Sequence, residues 1–269
     1  GALYTILVLS SVVFFGPIFW IMIMSLKRDS EIYTFPPTFL PKEPTMVNYN
    51  FVQKQVGFYA YLSNSLVLGI VGTIVTVLLA VFMAYAIARY EFIGNRSIFL
   101  LVLILRMIPP ISITIPLYTM VRKVGLIDTK LLLIILNVAG ALPSAVWILA
   151  TFFGVVPREL EDAARIDGCG DLGILKSVIM PLSIPSIATV TIFTFVGIWN
   201  EYLLASTFSL TTKARPLTVL LAELLQPEHQ VSWGAIGAVA TIVSIPTLLI
   251  AVVLQRYIVS GLLTGAVKG

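Results

Sequence analysis

Long stretches without a charged side chain limit this chain more than any other feature. Such runs cover residues 2–26, 55–88, 131–157, 177–200 and 230–255, and a sixth, 97–121, is interrupted only by Arg106. A helix needs about 20 apolar residues to cross the hydrocarbon core of a bilayer, where every backbone polar group must be satisfied inside the segment. No strand-length segment alternates with period 2, which argues against a membrane β-barrel. The sequence therefore predicts an all-α integral membrane protein with a single transmembrane domain over residues 1–269. Its spans are expected at about 2–26, 60–88, 97–121, 131–155, 181–205 and 232–257. Six spans put both termini on one side. The chain starts at Gly1 inside an apolar run, without a methionine or a basic stretch, so further residues are expected ahead of it and no signal peptide is read.

Charge confirms the class and removes several functions. Only 11% of residues are charged, where a soluble domain carries about 25%. The net charge of +4 is spread along the chain with no basic run, so the lipid bilayer is the expected partner and nucleic acid is not. One cysteine, Cys169, allows neither an intrachain disulfide nor a thiolate metal cluster, and one histidine, His229, makes no catalytic dyad. The phosphate-cradling pattern G-x-x-x-x-G-K-[ST] is missing, so any ATP must be bound by another chain.

The charge that is present concentrates in one place. Residues 157–185 hold five of the thirteen acidic side chains: Glu159, Glu161, Asp162, Asp167 and Asp171. Pro157 suits the first turn of a helix and Gly168 the position just past its end, so a short helix is expected between them. Leu160, Ala163, Ala164 and Asp167 then share one face by their i, i+3, i+4, i+7 spacing, while Glu159, Asp162 and Arg165 point elsewhere. Such a helix is shaped to lie in a partner's groove.

Elsewhere the candidates are fewer. Residues 27–54 carry Pro36, Pro37, Pro41 and Pro44 and read as an extended, stiff excursion. Arg106 lies deep in the third span, ahead of Pro109 and Pro110; it is either a functional charge or a structural or snorkelling one. Asn137, Gly140 and Pro143 read as helix-packing features. Trp199, Asn200, Glu201 and Tyr202 close the fifth span. Two readings stay open for them: an interfacial aromatic belt, or sugar contact through stacking rings and hydroxyl-bonding polar groups.

Asp162-Ala163-Ala164, Asp167-Gly168, Ile179-Met180-Pro181-Leu182 and Pro185 resemble the EAA motif of ABC importer permeases. Asp162 stands where the family has glutamate, with Glu161 beside it, and Cys169 where maltose-type members carry alanine. Ala88-Arg89-Tyr90-Glu91-Phe92 with Gly94, the run from Trp199 to Ala205, and the tail from Gly261 through Gly265 to Gly269 also match. The chain is similar to the second permease subunit of maltose-type (carbohydrate uptake) importers over essentially its whole length. The resemblance implies a type I importer arrangement of six helices, with a cytoplasmic coupling helix between spans four and five in the EAA loop, 157–185. ATPase coupling then falls to Glu161, Asp162, Ala163, Ala164, Asp167 and Gly168. The substrate pathway falls to Arg106, Trp199, Asn200, Glu201 and Tyr202. Implied partners are a second homologous permease, two copies of an ABC ATPase holding ATP and Mg, and an extracytoplasmic substrate-binding protein. No cofactor is expected in this chain, and it does no chemistry itself.

The resemblance also implies a multi-pass protein of a bacterial or archaeal cell membrane, with termini and EAA loop cytoplasmic. The basic residues do not support that orientation. Seven lie on the loop side and nine on the other, which with Arg106 make up all 17. The alternative is an ion-coupled secondary transporter or channel subunit, for which only Arg106 and Glu201 supply ionisable groups, and no internal repeat marks two halves. An intramembrane protease has little support: there is no GxGD motif, and His229 lies outside the spans.

Overall fold

The computed structural model describes residues 2–54, 57–91, 93–95, 97, 100–101, 104, 107–226 and 232–266, with residues 2, 251 and those beyond 252 described in their backbone only. Arg106, Phe92, His229 and the last three tail residues lie outside the described residues. All regular structure among the described residues is helical. In chain order it comprises α1 (Ala2–Ser25), α2 (Asp29–Ile32), α3 (Val47–Lys54), α4 (Phe58–Arg89), α5 (Pro110–Val124) and α6 (Lys130–Val155). There follow α7 (Arg158–Ile166), α8 (Asp171–Leu182), α9 (Ile184–Trp199), α10 (Leu203–Phe208), α11 (Leu217–Glu223) and α12 (Trp233–Ala266). Four of these helices are long and apolar enough to cross a membrane: residues 3–25, 58–89, 130–155 and 233–250. The expected third span is described mainly through α5.

The fifth span departs from its expected course. Instead of one helix over 181–205, α8 and α9 meet at 81°, and α9 stops at Trp199. Pro181 and Pro185, four residues apart, both lack the N–H that would continue the ladder. The chain closes the break at Ser183, whose N–H donates to Ile179 O at 3.0 Å, and a π-helical turn at Leu175–Ile179 precedes it. At 16 residues, α9 is about 24 Å long.

The bundle centres on α4 and α6, which pack along much of their length, with α9 against both. Small residues permit this closeness. A Cβ at Gly69 would lie 3.0 Å from the Phe195 ring, and one at Gly72 would lie 3.0 Å from Ile198. On the flank, α12 packs against α1, where a Cβ on Gly237 would meet Ser25 N at 3.0 Å. Several hydroxyls and amides inside the spans bond back to their own helix, as Thr76 does to Gly72 O and Thr241 to Gly237 O, both at 2.7 Å. That leaves few polar atoms facing hydrocarbon. The outer wall of α1 is apolar and uncovered throughout Leu3–Phe15, as a lipid-facing helix is.

The proline-rich excursion is less extended than its prolines suggest, because α2 and α3 fold within it. Lys27 is buried beneath Trp20, its Nζ 5.2 Å from the ring centre and donating to Thr38 O and to Thr38 Oγ1. Asn48 Nδ2 donates to Ser25 O (2.9 Å) and Lys27 O (2.7 Å), tying α3 back to the end of α1.

Candidate functional site

At one end of the bundle the chain leaves α6, turns at Val156 and Pro157, and enters α7. Pro157 occupies the N-cap with extended backbone. Glu159 and Glu161 fall in the first turn and Arg165 in the last, the arrangement that suits a helix dipole. The helix ends at Asp167. Gly168 then takes φ of +86°, so that Cys169 N can donate to Ala164 O at 2.9 Å, and a residue with a Cβ would be strained there.

Two side chains of α7 turn inward. Ala164 is half-buried against the core formed by α4, α6 and α8. Glu161 is buried, its Oε1 2.5 Å from Arg89 Nε at the end of α4, with both side chains 7% exposed. The Nε–H is not aimed at that oxygen, so the contact is an ion pair rather than an aligned hydrogen bond. Arg89 also donates through Nη2 to Val156 O at 2.9 Å. Leu160, Asp162, Ala163, Asp167 and Gly168 are exposed. The expected common face therefore divides, with Ala164 spent on the protein's own core and Leu160 and Ala163 left free. Glu161 is likewise bound within the chain, unlike Asp162 beside it.

A second, exposed pair braces the exit from α7: Arg165 Nη2 lies 2.7 Å from Asp171 Oδ1. Tyr90 also bonds Asp171. That hydrogen bond, then burial, pushes the Tyr90 phenol up to about 12, and the same bond leads the causes holding Asp171 below its usual range.

Toward the other end a cleft of about 350 Å³ opens among α5, α6, α9 and α10. Its polar lining includes Asn137, Ser144, Thr194 and Glu201, set among apolar groups such as Phe193 and Ile198. Of the five residues expected along a substrate path, Glu201 lines this cleft. Its two carboxylate oxygens accept from Leu204 N (2.7 Å) and Ala205 N (3.0 Å), so it also caps α10. Trp199 sits in the core instead. It stacks on Phe195 at 5.5 Å, and its Nε1 donates to Val243 O at 2.9 Å, so its ring is not free to receive a sugar. Asn200 and Tyr202 are exposed and do not line the cleft, and Asn200 bonds back to Val196 O. Arg106 lies outside the described residues. Asn137, read above as a packing residue, bonds Leu133 O within α6 and also faces the cleft.

The loop rim formed by residues 209–223 against the start of α4 is what sequence reasoning left unassigned. Asn64 Nδ2 donates to Thr212 O (2.9 Å) and Arg215 O (2.8 Å), and Leu217 N donates to Ser65 Oγ (2.7 Å). Glu223 pairs with Arg215 and accepts from Tyr61 OH at 2.8 Å. Asp128 accepts from Leu210 N, Thr211 N and Thr211 Oγ1. The signal in the sequence was Asn64-Ser65, a polar pair with no other reason to start an apolar helix.

Several known proteins are similar to this chain. The chain is 34% identical to the trehalose/maltose transport system permease protein MalG of Thermococcus litoralis, over 97% of this chain and 94% of that one. It is 35% identical to the trehalose transport system permease protein SugB of Mycobacterium tuberculosis, over 94% and 92%. It is 34% identical to the sulfoquinovosyl glycerol transport system permease protein SmoH of Agrobacterium fabrum, over 94% and 88%. Among solved structures, a chain of a bacterial ABC transporter that imports the acidic polysaccharide alginate superposes with a TM-score of 0.82 at 23% identity, covering 95% of both chains. The comparisons lend no support to an ion-coupled carrier or channel, nor to an enzyme. Residues 76–264, which include α7 and the whole lining of the cleft, match the family described as binding-protein-dependent transport system inner membrane component, and the chain belongs to that family.

Proposed function

We propose that this chain is one of two homologous permease subunits of a carbohydrate importer, and that α7 is the helix on which a separate ABC ATPase acts. The observation that carries the reading is the form of α7. It is a short charged helix, closed by a left-handed glycine, that exposes Leu160, Ala163 and Ile166 while rooted in the bundle by Glu161 and Ala164. Small and apolar groups admit a close partner, and Asp162 and Glu159 offer it carboxylates for arginine pairing.

The substrate class comes from the named relatives, which transport trehalose, maltose and sulfoquinovosyl glycerol, and from the alginate importer. The cleft's chemistry agrees, since Asn137, Ser144, Thr194 and Glu201 can bond hydroxyls while Phe193 presents an apolar surface. A second permease completes the path, and an extracytoplasmic binding protein delivers sugar at the rim. Termini and α7 face the cytoplasm. ATP and Mg belong to the two ATPase copies, whose closure displaces α7 and switches the cleft from inward- to outward-open.

The test is reconstitution with the partner permease, ATPase and binding protein, using trehalose and maltose as probes. The wild-type complex is expected to take up sugar only with ATP. Gly168→Val, which adds backbone strain while its Cβ meets no atom within 4 Å, is expected to keep the spans folded and to lose most ATP-driven uptake. Wild-type uptake and ATPase copurification in that variant would remove α7 from coupling. Labelling of Cys169 by an impermeant maleimide from outside intact cells would reverse the orientation.

A further inference from the structure

Every residue of α7 is exposed except Glu161 and Ala164. Ala164 contributes one methyl group. Apart from the solvent-exposed Arg165–Asp171 pair, the remaining side-chain attachment is Glu161, and its partner is the last residue of α4. Arg89 does not spend its guanidinium on the carbonyls that end its own helix, where a terminal arginine commonly goes. It reaches Val156 O, at the exit of α6, and Glu161, in the first turn of α7. One planar group thus joins three elements at a point shielded from water. The α4 helix packs against α6 and α9, which form walls of the cleft.

We propose that Arg89 and Glu161 are positioning residues for energy coupling: their ion pair, with the Arg89–Val156 bond, transmits displacement of α7 into α4 and so to the cleft. This rests on the importer reading above. A point fastening of this kind passes a sideways movement of α7 to one chosen span, whereas the connection through Pro157 alone would let the helix swing. The two-pronged contact needs arginine's fork, since a lysine ammonium offers one nitrogen for two acceptors at fixed separations.

The proposal separates from simple fastening, because a buried ion pair can often be replaced by apolar residues without loss of stability. The assembled complex with its ATPase would carry Cys169→Ser and Ser144→Cys, which places a reporter thiol on the cleft wall. The rate of methanethiosulfonate labelling is measured with and without MgATP and vanadate, per assembled complex. With Arg89 and Glu161 intact, nucleotide is expected to change the rate by about tenfold, the size of an ordinary coupling between two sites. In Arg89→Lys and in Glu161→Gln the change should shrink to less than about twofold, and the exchanged pair Arg89→Glu with Glu161→Arg should recover part of it. Full nucleotide response in both single variants overturns the proposal. So does full response in an apolar Arg89→Met, Glu161→Leu pair, which would make the contact a fastening only; that pair also decides the matter if the single variants fail to assemble. A wild-type complex whose labelling ignores nucleotide would instead sink the importer reading itself.

Discussion

The two connections at opposite ends of α4, about 48 Å apart for a helix of 32 residues, are built in opposite ways. The segment from Val156 to Gly170 leaves nearly all of its helix exposed and meets the bundle through one buried ion pair, one exposed ion pair and the partial packing of Val156, Ala164 and Cys169. The segment from Ser209 to Glu223 is bonded to α4 at Tyr61, Asn64 and Ser65 and to the α5–α6 turn at Asp128. It also buries Ala214, Leu217 and Leu220. Many independent bonds make a segment that moves only with its support. A few attachments, only one of them a buried ion pair, make one that can be displaced as a unit while still pulling on what it is tied to. Both connections are polar and similar in length, so the difference lies in how their polar groups are spent.

That contrast can be broken by asking where mutations cost stability and where they cost only function. The largest stability loss is expected for Asn64→Ala at the rim. Its amide serves two carbonyls while 1% exposed, and leaving them unpaired should cost about 2–4 kcal/mol, read as a lower Tm of the purified protein. A Tm shift no larger than that of an exposed-site control would show the rim to be as loose as α7. Asp128→Ala removes three accepted bonds and should cost about 1–3 kcal/mol.

Asp128 also sets a pH dependence. Burial pushes its carboxyl up, but the Thr211 hydroxyl and the two backbone N–H groups outweigh this and hold it below 3.8. A depressed carboxyl stabilises the fold above its unfolded value and loses that contribution as pH falls through the folded value. Rim stability should thus be level from neutral pH down to about 4 and drop below it, and the drop should vanish in Asp128→Ala.

The smallest effect is expected for Arg165→Ala beside α7. Both partners are about half exposed, and such pairs contribute about 0–1 kcal/mol. A loss above about 2 kcal/mol would mean that this exposed pair anchors α7 as firmly as a buried one.

Much of this was legible because it depends on neighbours along the chain. Uncharged runs specify the spans, since only a helix hides its backbone from lipid. Pro157 and Gly168 bracket α7 through backbone geometry that belongs to those residues alone. The residues that resemble the family's motif lie in the same short stretch. What stayed hidden turned on the rotation and bending of helices against partners distant in sequence. Nothing near Glu161 says that it, and not Asp162, turns inward; that follows from Arg89 waiting at the end of another helix. Trp199 read as a path candidate because aromatic faces stack on sugar rings, yet α4 offers Gly69 and α12 offers the Val243 carbonyl, and together they draw the ring into the core. The break at Ser183 was written in Pro181 and Pro185, but Pro143 and Pro246 sit inside unbroken helices, so proline alone does not decide a bend. Local backbone chemistry determined which segments are helices and where they stop. Which face each helix turns inward was decided by packing, because that choice is settled between surfaces that meet only once the chain has folded.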